Sequence, residues 1–209
     1  MSISSSEADS LFKQMMQQTW RVTSSDSASI DYGCSYTMYG GPGDGEIPEI
    51  PSFLADITAR IRKRIQMPVN YIQCHRFGPA HPVHPHRDPE GMIVPMLTLG
   101  QARTFRIGGK MPQWAYRMKQ EQRKIELHEP EKEILLDHGS LLIFNGGKIL
   151  HSMFPADKDP NFKPNDFPCR ITLLFRYTTR AMREHGTVRN KKSVCEYREV
   201  MSAHRRAIQ

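Results

Sequence analysis

Beyond Pro68 the sequence breaks into short β-type runs separated by turn residues: Tyr71–Phe77, Met92–Leu99, Thr104–Ile107, Ser140–Phe144 and Arg170–Tyr177. Runs of this length, punctuated by Gly and Pro, predict an all-β sandwich, barrel or jelly roll. The last run, RITLLFRY, constrains the fold most. Ile171, Leu173 and Phe175 share one face; Arg170, Thr172, Leu174 and Arg176 share the other. The first face suits a core. The second carries two arginines, which are costly to bury unless an anion meets them. Arg has the planar fork suited to a carboxylate. An edge strand with a solvated arginine face is the bland alternative.

The rest of the chain is arranged around these runs. Ser4 and Glu7 have capping-box spacing, and Leu11, Phe12, Met15 and Met16 recur at helical spacing after them. A Ser-rich segment follows, and then a Gly/Pro-rich loop from Tyr32 to Pro51. A second helix is expected from about Ser52, with Phe53, Leu54, Ile57, Ile61 and Ile65 as its apolar stripe and Pro68 as its stop. Residues 111–133 are charged and irregular. No period repeats, so solenoids and propellers are excluded. At 209 residues one domain is expected, in three parts. These are N-terminal helices and a lid loop (1–70), a β core (71–179) and a basic extension (180–209).

Charge and cysteine usage narrow the class. The formal net charge is +7, and the extension, with eight Lys/Arg against three Glu, holds +5 of it. Such a balance permits a polyanionic partner. There is no long apolar run, so no membrane span is expected. The opening MSISSSEADS reads as neither a secretory signal nor a basic transit peptide. Cys34, Cys74, Cys169 and Cys195 form no C-x-x-C pair, which fits a reducing, intracellular setting, cytoplasmic or nuclear. A monomer is the default expectation.

The chemistry centres on GPAHPVHPHRDPE. On a strand, His86 and Asp88 project to one face. An imidazole and a carboxylate so placed can share a metal, and a later histidine would complete a two-His-one-carboxylate facial set with open positions. His151, after the run DHGSLLIFNGGKILH, is the best third ligand; His128 and His138 are rivals.

This order of motifs resembles the AlkB-type Fe(II)/2-oxoglutarate dioxygenases. The resemblance runs from about Tyr32 to Tyr177. It rests on HRDPE (His86–Glu90), PMLTLG (Pro95–Gly100), HGSLLIFNGG followed by His151, and RITLLFR. It implies a double-stranded β-helix (jelly roll) with N-terminal helices packed on it. It implies that His86, Asp88 and His151 hold Fe(II), and that 2-oxoglutarate and O2 are consumed. Arg170 would bind the far carboxylate of 2-oxoglutarate, with Arg176 near its iron-chelating end. Three positions depart from the family's pattern. His75 and Phe77 stand where an Asn and a Tyr usually touch 2-oxoglutarate, and Thr172 stands where Asn is common. His75 and Thr172 are therefore candidate co-substrate contacts.

The resemblance further implies oxidative demethylation of alkylated nucleic acid, the N-methyl carbon leaving as formaldehyde. Tyr32, Tyr36 and Tyr39 are then candidates to stack on the target base, and Glu90 to face it. The same chemistry on a protein or small molecule is an alternative. A cupin-type metal protein is another, because Gly78, His84, His86 and Glu90 match the opening cupin motif; His84, His86 and Glu90 would then be the ligands.

Overall fold

The computed structural model describes residues 3–34, 48–88, 93–159, 161, 167–185 and 191–208. Helix α1 spans Ser5–Met16, and the Ser4 hydroxyl accepts the Glu7 N–H, as the capping spacing predicts. It buries Ala8, Leu11, Phe12 and Met15. A 3-10 turn over Ser52–Leu54 leads into helix α2 (Ala55–Ile65). That helix stops at Gln66, in the left-handed region at φ 51°, two residues before Pro68. Arg60 of α2 pairs with Glu7 of α1.

The described strands, in chain order, are β1 (Arg21–Ser24), β2 (Ser27–Gly33), β3 (Tyr71–Phe77), β4 (Val83–His86), β5 (Ile93–Gly100), β6 (Arg103–Ile107), β7 (Lys132–Leu136), β8 (Leu141–Asn145), β9 (His151–Met153) and β10 (Arg170–Arg176). They form two antiparallel sheets, of order β1-β2-β3-β10-β5-β8 and β4-β9-β6-β7. The fold is mainly β, a jelly roll with helices packed on it. Among the described residues, no helix is long and apolar enough to cross a membrane.

Strand β10 sits centrally in the large sheet, between β3 and β5. Its two faces divide as their residue types predict. Ile171, Leu173 and Phe175 join one core cluster with Leu11, Phe12 and Met15 of α1 and Ile57 and Ile61 of α2. Arg170, Thr172, Leu174 and Arg176 face the opposite side, into the space between the sheets. A second cluster fills much of that space, including Met96 of β5, Phe105 of β6, Phe144 of β8 and Met153 of β9. An edge strand with a solvated arginine face is thereby excluded.

Three regions are more ordered than local pattern alone specifies. The Ser-rich segment forms the hairpin β1–β2, extending the large sheet through seven β2–β3 pairs from Ser27↔Phe77 to Gly33↔Tyr71. Ala28, Ile30 and Tyr32 supply the buried face that small, polar neighbours masked. The basic end of the chain is also part of the folded body. Helices α3 (Arg180–His185) and α4 (Lys191–Ile208) carry Met182, Tyr197 and Met201 into the second cluster beside Met67 and Tyr71. Tyr197 and Met201 are four apart, so one helical stripe meets the core. Residues 111–133 contain short 3-10 turns at Gln113–Arg117, Gln120–Gln122 and Ile125–Leu127. Met111 and Ala115 pin them on Leu150 in a small cluster of their own.

Candidate active site

A cavity of about 700 Å³ lies between the sheets. One end is built by β4 and β9, whose pairing sets His86 directly opposite His151. The two imidazole rings lie 4.2 Å apart, centre to centre. Asp88, just past β4, brings Oδ1 to 3.6 Å from His86 Nε2 and 3.9 Å from His151 Nε2. One ligand atom from each residue lies within 4.8 Å of the others.

The tautomers follow from the outer contacts. His86 Nδ1 donates to the His84 carbonyl at 2.7 Å, and His151 Nδ1 to the Ile149 carbonyl at 3.0 Å. A carbonyl only accepts, so each Nδ1 carries a proton, and it is Nε2 that each ring turns towards Asp88 and one common point. Burial pushes the His151 pKa down to about 4, and His86 adds to the effect, so its ring is neutral. Burial tends to raise the Asp88 pKa. The contact with His86, together with the Arg176 charge and His151, outweighs it and brings Asp88 down to about 2. Two imidazoles and one carboxylate are the donor set of a divalent-metal facial site.

Gly146 makes room for the carboxylate. A Cβ there would stand 1.8 Å from Asp88 Oδ2, while the Gly146 carbonyl accepts the Asp88 N–H at 2.9 Å. Phe105 and Phe144 close around the His151 ring, at 5.5 and 5.0 Å.

The other end is the β10 face. Arg170 is fully buried. Its Nη1 donates to the carbonyls of Gln101 and Leu136 at 3.3 and 3.2 Å, and its Nη2 to Thr98 Oγ1 at 2.9 Å. Among the described residues its Nε is buried without a hydrogen-bond partner. Burial, aided by Arg103, lowers the Arg170 pKa to about 9, with Asp159 opposing. No carboxylate bonds this guanidinium directly among the described residues; Asp159 instead accepts from Thr104 N and Oγ1 at 2.5 and 2.9 Å. A buried cation with no carboxylate bonded to it directly and one donor left over can seat an anion.

Thr172 lies between the ends, opposite His75 on β3 and Thr98 on β5. Burial, then Arg176 and His81, hold the His75 pKa down at about 4, so it is a neutral hydrogen-bonding group. His75, Phe77 and His81 stack in series at 5.6 and 5.0 Å along the cavity wall.

The structure thus brings His86, Asp88, His151, Arg170, Thr172, Arg176 and His75 around one cavity. Tyr32 is a correction. It is buried in the cluster on the far face of the large sheet, its hydroxyl 3.4 Å from Gln18 Oε1, and cannot stack on a base in the cavity. Alternation explains this: Ser27, Ser29 and Asp31 take the other face of β2. Tyr36, Tyr39 and Glu90 lie outside the described residues.

The rival histidines have other partners. His128 is held between Ser152 Oγ and the Gly108 carbonyl, both at 2.7 Å. His138 accepts the Gly100 N–H at 2.7 Å and faces Asp9 at 3.2 Å. Among the described residues the ligand cluster holds Asp88 with His86 and His151 and does not include His84, whose Nδ1 donates to the Arg123 carbonyl; Glu90, the other cupin candidate, lies outside them.

Sequence reasoning missed Arg103, fully buried beside Arg170, which donates to the His81 and Gly78 carbonyls at 2.9 and 2.6 Å. Its signal was present in RTFRI, where Arg103, Phe105 and Ile107 share a face. It also missed Gln120 and Glu121, which reach the cavity from the 111–133 segment.

No protein-family model matches the chain, and no curated protein sequence does. The fold is shared with solved structures. One is OsALKBH1, with a TM-score of 0.53 at 18% identity, covering 82% of this chain and 92% of that one. Another is an oxidoreductase of the 2OG-Fe(II) oxygenase family from Burkholderia pseudomallei, with a TM-score of 0.50 at 10% identity, covering 90% and 83%.

Proposed function

We propose that the chain is an Fe(II)- and 2-oxoglutarate-dependent dioxygenase that oxidatively demethylates alkylated nucleic acid bases. One observation carries the reading: a single cavity joins a two-His-one-Asp cluster to a buried arginine with an unused donor. His86, Asp88 and His151 fit a divalent ion of the Fe(II) kind in charge and donor type. Arg170 fits the far carboxylate of a dicarboxylic co-substrate, and Thr172 and His75 are placed to hydrogen-bond along its length. When bound, Fe(II) supplies the redox chemistry that couples decarboxylation of 2-oxoglutarate to hydroxylation of a C–H bond by O2.

The chain's own residues hold and exclude. His84 and Ile149 carbonyls fix the two imidazoles in the tautomer that leaves Nε2 free. Phe105, Phe144 and Met96 line the cavity and keep water from its reacting end. Arg176 lends positive charge beside Asp88.

The nucleic acid substrate rests on less. It is supported by the chain's net charge of +7, by its AlkB-type motifs and by the fold shared with OsALKBH1. Tyr36, Tyr39 and Glu90 remain candidates to hold the base. The test is succinate formation from 2-oxoglutarate with a panel of methylated oligonucleotides, nucleosides and peptides. Oligonucleotide-stimulated succinate with release of formaldehyde is expected. Stimulation by a peptide or free metabolite alone would move the substrate to another class and leave the chemistry standing.

A further inference from the structure

We propose that the outer face of residues 111–124 is a platform for single-stranded nucleic acid, on which Trp114 and Tyr116 stack unpaired bases beside the cavity mouth. This rests on the nucleic acid reading above and adds where the strand lies.

Four observations meet here. First, Trp114 is 57% exposed and Tyr116 37%, although Met111 and Ala115 of the same segment are buried. The segment is thus pinned from beneath while its aromatic rings stay in water. Second, residues 111–124 carry Arg117, Lys119 and Lys124 on the surface against a single acid, Glu121, while Arg123 is held by the carbonyls of Pro85, Met118 and Tyr116. In the 3-10 turn Gln113–Arg117, residues three apart eclipse, which sets Trp114 beside Arg117.

Third, the segment is locked to the strand that bears the metal cluster. Arg123 donates to the Pro85 carbonyl at 3.0 Å, and the Arg123 carbonyl accepts from His84 at 2.8 Å. Fourth, the Arg87 guanidinium lies 5.8 Å over the Tyr116 ring. Arg87 stands between His86 and Asp88 in sequence, so the platform begins where the cavity opens.

Exposed rings interleaved with cations match unpaired bases on a phosphate chain: each base offers a π-face and each phosphate a charge. A duplex hides its base faces, and an acidic peptide has charge without them.

The test uses the full chain and an unmodified single-stranded DNA of about 12 nucleotides. The chain has two tryptophans, so Trp20→Phe leaves Trp114 as the sole indole reporter. Single-stranded DNA should quench its emission, and duplex or polyglutamate at equal charge should not. Trp20 bonds the Met15 carbonyl and stacks with Arg76, so anisotropy of a labelled strand with Trp114→Ala in the unaltered background gives a second reading. Binding should weaken about 5- to 150-fold, the factor for loss of ~1–3 kcal/mol of stacking. Trp114→Phe should restore most of it.

Unaltered affinity in Trp114→Ala, or equal quenching by polyglutamate, overturns the platform. Succinate formation by the parent on methylated oligonucleotides tells the two failures apart. If it persists while Trp114→Ala binds normally, only the platform falls. If the parent neither turns over nor binds any oligonucleotide, the nucleic acid reading falls with it.

Discussion

The two ends of the cavity solve opposite electrostatic problems. At the β4–β9 end, two imidazoles and a carboxylate held ionised turn one ligand atom each towards a common point. At the β10 end, Arg170 holds a positive charge in full burial, with carbonyls and one hydroxyl as partners. One end offers donor atoms suited to a cation, the other a buried cation suited to an anion. The first is assembled from two strands of the small sheet, the second from a central strand of the large one. The sheets can therefore be perturbed one at a time, and the ends should fail differently.

The largest effect is expected at the cation end. Asp88→Ala removes the only carboxylate in the cluster. It should abolish stoichiometric Fe(II) binding, read by metal analysis after gel filtration, and with it succinate formation. His84→Ala should keep the metal. The reverse pattern would return the ligand set to the cupin arrangement.

Arg170→Lys probes the other end. The variant keeps a charge and loses the planar fork. Hydrogen bonds to charged groups contribute ~1.5–3 kcal/mol, so the KM for 2-oxoglutarate should rise on the order of 10- to 150-fold. Iron stoichiometry should stay near the parent's. A parallel loss of iron would show that the two ends are not separable.

How far these ends were legible in the sequence differs between them. The β10 face was readable because strand period and residue type agree: Ile, Leu and Phe alternate with Arg, Thr, Leu and Arg. The cation end was half readable. His86 and Asp88 announce themselves by spacing, but β4 does not, since Pro82 and Pro85 oppose strand propensity. Its pairing with β9, which brings His151 opposite His86, is a long-range fact. The β1–β2 hairpin was hidden by its serines, and the packing of α4 by its surface charge, because both are fixed by tertiary partners and not by local pattern. Arg103 was passed over since a single arginine in a short run looks solvated until the fold closes over it.

A smaller effect sharpens the cation end without touching a ligand. Gly146→Ala places a Cβ in the space of Asp88 Oδ2. The carboxylate must turn away. Changes of this indirect kind typically cost ~10–100-fold in metal affinity. Fe(II) titration should show that loss, with KM for 2-oxoglutarate nearly constant at saturating iron. Unchanged affinity would mean that Asp88 has a second productive rotamer.

The mildest test lies between the ends, at His75. Its pKa is about 4 in the folded chain against an ordinary 6.5, lowered by burial first, then by Arg176 and His81. His151 is shifted alike. Between these two values the unfolded chain takes up protons that the folded chain refuses. Stability is therefore fully present above pH ~6.5, falls as pH drops towards ~4, and gains no further slope from these histidines below that. Each contributes at most ~1.4 kcal/mol per pH unit within the window. Asp88, at about 2 against 3.8, extends the same trend to lower pH. His75→Gln keeps a hydrogen-bonding group and removes one titration. Urea midpoints of metal-free protein, measured at half-unit steps from pH 7 to 4.5, should show a shallower decline in the variant, while its stability at pH 7 stays close to the parent's. A decline as steep as the parent's would mean that His75 titrates normally and that the cavity between the two ends is wetter than its burial implies.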